Sequence, residues 1–229
     1  MSAILRDYFE FFRQFRSRFE TTGAIAPSSR FLARALTRPL ADVLARSPGP
    51  LRILEVGPGT GAVTARIVTL MRDGDELDLV ELNEDFVRRL QERIARERSF
   101  RRHVERLRIH RCPFQEYQAE APYDFVISGL PLNNFPVELV ERLFQTFFEH
   151  LKPGGVLSYF EYAYIRSLKR RIARGPERKR LDGIERIARD YQQRYRLRRD
   201  TVLLNLPPAW AQHLRRPPST EQAAAPEPH

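Results

Sequence analysis

The stretch LRILEVGPGTG, from Leu51 to Gly61, constrains the fold more than any other part of the chain. Residues 51–56 are largely apolar and stop at a glycine cluster, as a strand buried on both faces does. Gly57, Gly59 and Gly61 then lead into Thr60 to Met71, whose apolar residues have helical spacing. Glycines at a strand-to-helix turn permit the tight bend and let a ligand lie against the backbone. The pattern Gly57-x-Gly59-x-x-Ala62 also satisfies the dinucleotide fingerprint, so an NAD site is open at this point.

Two acids narrow the choice. Glu55 lies inside the first strand, two residues before the first glycine, where a carboxylate pairs with a cationic amino group and repels a pyrophosphate. Glu81 closes the second strand, where an acid accepts hydrogen bonds from both hydroxyls of a ribose. The first acid favours S-adenosylmethionine over NAD; the second suits either.

The remaining elements alternate. Strands are predicted at 76–80, 106–111, 123–128 and 156–162. Helices are predicted at 84–98 and 137–151, with a long basic helical region from 165 to about 190. Lys152-Pro-Gly-Gly155 punctuates the chain before the fifth strand, and 194–206 reads as a hairpin adding an antiparallel edge strand. Five alternations imply a parallel sheet with helices on both faces. A chain of 229 residues suffices for one such domain and is short for two.

The lone cysteine, Cys112, rules out an internal disulfide and a cysteine zinc cluster, and fits a reducing compartment. No apolar run reaches the ~18 residues of a membrane span. The expectation is a cytoplasmic protein, free or peripheral to a membrane, without metal. The net charge of +10 is localised: between Arg166 and Arg199 stand 14 Lys/Arg and four acids, which carry the whole excess. Such a segment attracts a polyanion, either nucleic acid or an anionic membrane surface.

The ensemble ILEVGPGTG, VELN, YDFVISGLP and LKPGGVL resembles the class I S-adenosylmethionine-dependent methyltransferases over roughly residues 50–206. The resemblance implies an α/β, doubly wound, mostly parallel seven-stranded sheet of Rossmann-like type. It also implies that Glu55, Gly57, Gly59 and Gly61 line the methionine moiety and that Glu81 holds the ribose. The family often carries an Asp after the third strand that touches adenine. Here that position is Cys112, which passes the contact to Pro113 and the backbone or to the ring of Phe114. Ser128 and Gly129, at the end of the fourth strand, complete the expected cofactor set.

The segment Ser128-Gly-Leu-Pro-Leu-Asn-Asn134 lies where this family places its acceptor. In the related rRNA adenine dimethylases the loop reads Asn-Leu-Pro-aromatic; the Asn accepts from the adenine amine and the ring stacks on the flipped base. Gly129 and Leu132 stand at those two positions here, so both groups are missing. Ile4 to Glu20, set on a helix, collects Tyr8, Phe9, Phe12, Phe15 and Phe19 on one face with arginines elsewhere, a helix able to lie in a lipid interface. Packing on the fold's own core is the other reading of that face.

The segment GAIAPSSR (23–30), with the SGLP loop, resembles bacterial phospholipid N-methyltransferases. That likeness implies methylation of the ethanolamine head group of phosphatidylethanolamine towards phosphatidylcholine, with phospholipid and an anionic membrane surface as partners. An rRNA adenine N6-methyltransferase is the alternative, and a non-catalytic binding module a third. Tyr8 is the first candidate for orienting the amine. The cluster Tyr159, Glu161, Tyr162 and Tyr164 is the second, with Tyr159 foremost, although alternation lets at most half of it face one side. His103, His110 and His150 are given no catalytic role. The expected layout is an N-terminal helix and helical cap at 1–36, the methyltransferase domain at 37–215 and a disordered tail at 216–229.

Overall fold

The computed structural model describes residues 30–46, 49–163 and 175–219. Residues 1–29, Tyr164, Lys169 to Arg171 and most of the tail, and with them the N-terminal helix and Tyr8, lie outside the described residues.

Two short helices, α1 (Arg30–Leu36) and α2 (Arg38–Leu44), precede β1 (Arg52–Val56), α3 (Ala62–Leu70), β2 (Glu76–Val80) and α4 (Glu84–Arg96). Then come β3 (Leu107–His110), β4 (Tyr123–Ser128), α5 (Val137–His150), β5 (Leu151–Tyr162), α6 (Pro176–Tyr195), β6 (Arg196–Val202) and β7 (Ala209–Arg215). The seven strands form one sheet in the order β3-β2-β1-β4-β5-β7-β6. β1 to β5 are parallel to one another, and β7 runs antiparallel to both β5 and β6.

The central strands are apolar on both faces because both faces are covered. Leu54 and Val56 pack with Leu143, Phe144 and Phe147 of α5 and with Ile184 of α6. Ile53 faces the other way, onto Val63 and Ile67 of α3, Leu90 of α4, and Leu32 and Leu36 of α1. The cap helix α1 thus shares the domain's core.

The hairpin expectation is corrected in one respect. The antiparallel strand is not at the edge: β7 lies between β5 and β6, and β6 is the edge strand. The sequence of β7, AWAQHLR, buries polar Gln212 and His213, which hides it from an apolar pattern. The pair is tied internally, with Ser158 Oγ and His213 Nδ1 2.8 Å apart, and burial pushes the imidazole below the usual histidine range. Order also runs one residue past β7: the Arg216 N–H donates to Gly155 O at 2.9 Å, so the folded part does not stop at 215.

His110 and His150 have structural partners. His110 Nε2 lies 2.8 Å from Asp78 Oδ1, in a buried network where Tyr123 Oη donates to Asp78 Oδ2 at 2.8 Å. His150 Nδ1 lies 2.8 Å from Thr146 O. Among the described residues no helix is long and apolar enough to cross a membrane.

Candidate cofactor and acceptor site

The carboxyl ends of β1, β2 and β4 stand side by side, since Val56 pairs with both Val80 and Ser128. The turn after β1 needs its glycines: Gly57, Gly59 and Gly61 have φ of +69°, +55° and +78°, conformations L side chains rarely adopt. A Cβ at Gly59 would meet nothing within 4 Å, whereas one at Gly57 would lie 2.5 Å from Leu130 Cδ2. The loop is therefore open on one side and closed against the β4 loop on the other.

Glu81 organises this loop as well as closing β2. Its Oε2 accepts from the Gly59 N–H at 3.1 Å and its Oε1 from the Asn83 N–H at 2.8 Å. Asn83 in turn caps α4, accepting from the N–H groups of Asp85 and Phe86 at 2.9 and 3.2 Å. Burial raises the Glu81 carboxyl above its ordinary range, against the lowering pull of those backbone N–H donors. Nothing in the sequence pattern reveals the Gly59 bond, and the Asn83 cap, an Asn directly before an acidic first turn, was also not read from the sequence.

Glu55 is fully buried, and among the described residues neither carboxylate oxygen has a partner at hydrogen-bonding geometry. Burial pushes its pKa up to about 8; the polar groups of Thr64 oppose this, the charge on Glu81 adds to it, and the charge on Arg93 opposes it. A buried carboxyl beside a left-handed glycine loop suits a cationic ligand group, which would take up its charge on ionisation. With Glu81 at hydrogen-bonding reach of the same turn, the donor and acceptor set fits a ligand carrying both an ammonium group and a ribose diol.

At β4 the Gly129 N–H donates to Val56 O at 2.8 Å and the Leu130 N–H to Ser128 Oγ at 3.3 Å. A Cβ at Gly129 would lie 2.5 Å from Gly57 O, so the chain has no space for a side chain there. Leu132 is buried in the cluster formed with α5.

The expected adenine contact through Phe114 is corrected. Its ring is 1% exposed and stacks on Phe147 with centroids 5.1 Å apart, which leaves no face for a purine. Pro113 and the half-buried Cys112, whose thiol burial pushes up, remain at the end of β3.

Ser158 pairs with Ile127, which puts Tyr159 level with Ser128. The Tyr159 ring lies edge-on to Phe144 at 5.2 Å, and its hydroxyl accepts from Gln192 Nε2 at 2.7 Å. Glu161, on the same face, accepts from Gln192 Nε2 at 3.3 Å and Gln212 Nε2 at 3.2 Å. Tyr162 turns to the opposite face, against Phe160. Sequence reasoning missed both glutamines; they come from α6 and β7, elements distant in the chain. Among the described residues no group of three His, Cys, Asp or Glu could hold a metal ion.

Comparison with known proteins gives these features a context. Residues 53–155 match the family described as "Methyltransferase domain". The chain is 31% identical over 154 residues to the ornithine lipid N-methyltransferase of Singulisphaera acidiphila, covering 67% of this chain and 77% of that protein. It is 30% identical over 131 residues to the ribosomal RNA small subunit methyltransferase A of Pseudomonas putida, covering 54% of this chain and only 42% of that protein. Among solved structures, the N-methyltransferase NodS from Bradyrhizobium japonicum with S-adenosyl-L-homocysteine superposes with a TM-score of 0.55 at 15% identity, covering 82% of this chain and 88% of that chain. An O-methyltransferase from Bacillus cereus, also with S-adenosyl-L-homocysteine, gives 0.62 at 15% identity, covering 90% and 91%. The strand order, the glycine turn, the paired acids and the 31% relative converge: the chain belongs to the class I S-adenosylmethionine-dependent methyltransferases.

Proposed function

We propose that the protein methylates the amino group of a lipid head group, phosphatidylethanolamine towards phosphatidylcholine, at a membrane surface. The observation that carries this reading is the identity, over two thirds of the chain, to a protein whose name specifies methylation of a lipid at nitrogen.

The acceptor loop supports it by disfavouring adenine. The Asn of an adenine loop would have to stand at Gly129, where even a Cβ meets Gly57 O at 2.5 Å. The ring that stacks on a flipped base would have to stand at Leu132, which is buried in the core. The match to the rRNA enzyme, which spans less than half of that protein, is the weaker guide.

When bound, S-adenosylmethionine supplies an electrophilic methyl group open to in-line attack, so alignment of the amine supplies most of the acceleration. An ethanolamine ammonium has a pKa near ~10 and must shed a proton before its nitrogen can attack. Tyr8 is our first candidate for orienting the amine, and the buried Tyr159 and Glu161, hydrogen-bonded to Gln192, are the second, as the groups that would shape the wall of its pocket. In this reading Glu55 receives the amino group of the cofactor, and Gly57, Gly59, Gly61, Ser128, Gly129 and Pro113 supply the surrounding backbone.

Two experiments follow. Labelled methyl should pass to phosphatidylethanolamine in mixed vesicles and not to ribosomal RNA at matched salt, and removal of residues 1–20 should lower that turnover while sparing cofactor binding. RNA product without lipid product would reverse the assignment. Glu81→Ala should weaken S-adenosylhomocysteine binding by about 1.5–3 kcal/mol, since a charge-assisted pair of hydrogen bonds is lost. Unchanged affinity by calorimetry would remove Glu81 from the ribose site.

A further inference from the structure

The turn joining β6 to β7, residues 203–208, leaves the fold on the same edge as the glycine turn and the acceptor loop. Ala209, just after it, pairs with Tyr162 at the carboxyl end of β5. Its composition is wrong for a solvated turn: Leu203, Leu204 and Leu206 are 68%, 71% and 81% exposed. Their exposure is not looseness of the backbone, because the turn is pinned from inside. The buried Asn205 side chain donates to Pro207 O at 2.7 Å, and the Ala163 N–H donates to Pro208 O at 2.8 Å. A pinned turn that holds three leucines in water marks a contact surface.

What surrounds the leucines identifies the partner. Leu203 and Leu204 border a cleft of about 450 Å³ that is also lined by Arg34, Arg38 and Arg66. Asp200, paired with Arg38 at 3.5 Å, is the acid lining the same cleft. Apolar tips ringed by guanidinium groups match a bilayer interface, where acyl chains take the leucines and anionic phosphates take the arginines. Single-stranded nucleic acid is received largely on aromatic faces, and residues 203–208 carry no aromatic side chain.

We propose that the 203–208 turn, with Arg34, Arg38 and Arg66, docks on an anionic bilayer and presents the carboxyl edge of the sheet to the lipid. The inference rests on the lipid-acceptor reading for its purpose, and on the exposed turn for its place.

The test uses the full chain and vesicles of phosphatidylcholine with roughly 30% phosphatidylglycerol. An environment-sensitive dye is attached to Leu204→Cys, and separately to Glu120→Cys in the exposed loop before β4 on the opposite edge, both in a Cys112→Ser background. Vesicles should shift the emission at 204 to the blue and leave that at 120 unchanged. The triple variant Leu203→Ser, Leu204→Ser, Leu206→Ser should partition onto vesicles about tenfold less. Its affinity for S-adenosylhomocysteine, and its turnover on monomeric short-chain phosphatidylethanolamine, should equal those of the parent. Wild-type partitioning by the triple variant would overturn the proposal. So would a dye at 204 that responds to RNA or to a protein and not to vesicles. Failure of the acceptor reading shows separately, as absence of methyl transfer by the parent to the monomeric lipid.

Discussion

Gly129→Asn is expected to destroy the cofactor site, not to convert the protein into an adenine methyltransferase. The added Cβ would stand 2.5 Å from Gly57 O, a backbone atom with no freedom to retreat. Gly57 is held by its N–H on Val80 O at 2.9 Å, and Gly129 by its N–H on Val56 O at 2.8 Å. Relief of the clash must break one of these bonds or push the glycine turn into the space the ligand needs. Overpacking of this kind costs about 1–3 kcal/mol of stability, and binding suffers more because the displaced atoms belong to the site. The affinity for S-adenosylhomocysteine should fall by roughly a hundredfold or more, with methyl transfer below detection. Calorimetry together with thermal unfolding separates loss of the site from loss of the fold. A folded variant with parental affinity would show that the two loops are not in the tight contact described.

The second large effect belongs to Glu55 and depends on pH. Burial holds this carboxyl near 8 in the free protein, against an ordinary value of 4.5. The folded chain therefore holds a proton that the unfolded chain has given up, so this group's contribution to stability is full below pH 4.5 and is lost as pH rises through about 8. Ligand binding runs the other way. If the carboxylate receives the ammonium of the cofactor, binding below pH 8 must expel the proton, and affinity should rise with pH by at most about tenfold per unit until it levels near 8. Titration of S-adenosylhomocysteine at pH 6.5 in buffers of different ionisation enthalpy should register close to one proton released. Glu55→Gln should abolish both the release and the slope. Equal heats in all buffers for the parent protein would separate Glu55 from the ammonium.

Much of the fold was legible because its central strands obey one rule. Residues 76–80 and 123–128 are strands between the bounds their apolar runs suggest, and 51–56 differs by a single residue. Such strands are buried on both faces, so hydrophobicity alone marks them. β5 was read too short, starting at 156 where the structure begins it at Leu151. Pro153 and Gly154 look like punctuation, but the sheet accommodates them in an exposed stretch of the strand, where the pairing with β4 shifts register. The hairpin was read only in part, because β7 gains its burial from the neighbours on either side, and a strand that carries Gln212 and His213 inward leaves no alternating pattern.

The same division holds at the site. Glu55, Glu81 and the three glycines could be singled out as candidates, since each sits at a fixed offset from the end of a strand. The Phe114 ring was misplaced because position after a strand fixes the backbone and leaves the side-chain direction to packing, here against Phe147. Gln192 and Gln212 were invisible for a third reason: they meet Tyr159 and Glu161 only through tertiary assembly.

The interior place of β7 has a consequence for how the chain is made. β6 emerges from the ribosome before β7, yet among the described residues its one neighbour in the sheet is β7. While the last strand is still being synthesised, β5 has a bare row of backbone donors and acceptors along one side and β6 has nothing to pair with. Two of the seven strands, β6 and β7, must wait for residues 209–215, and the nascent chain needs protection through that interval. A premature stop before Ala209 would remove a strand from the middle of the molecule, where a stop of equal length in many folds would merely trim an edge.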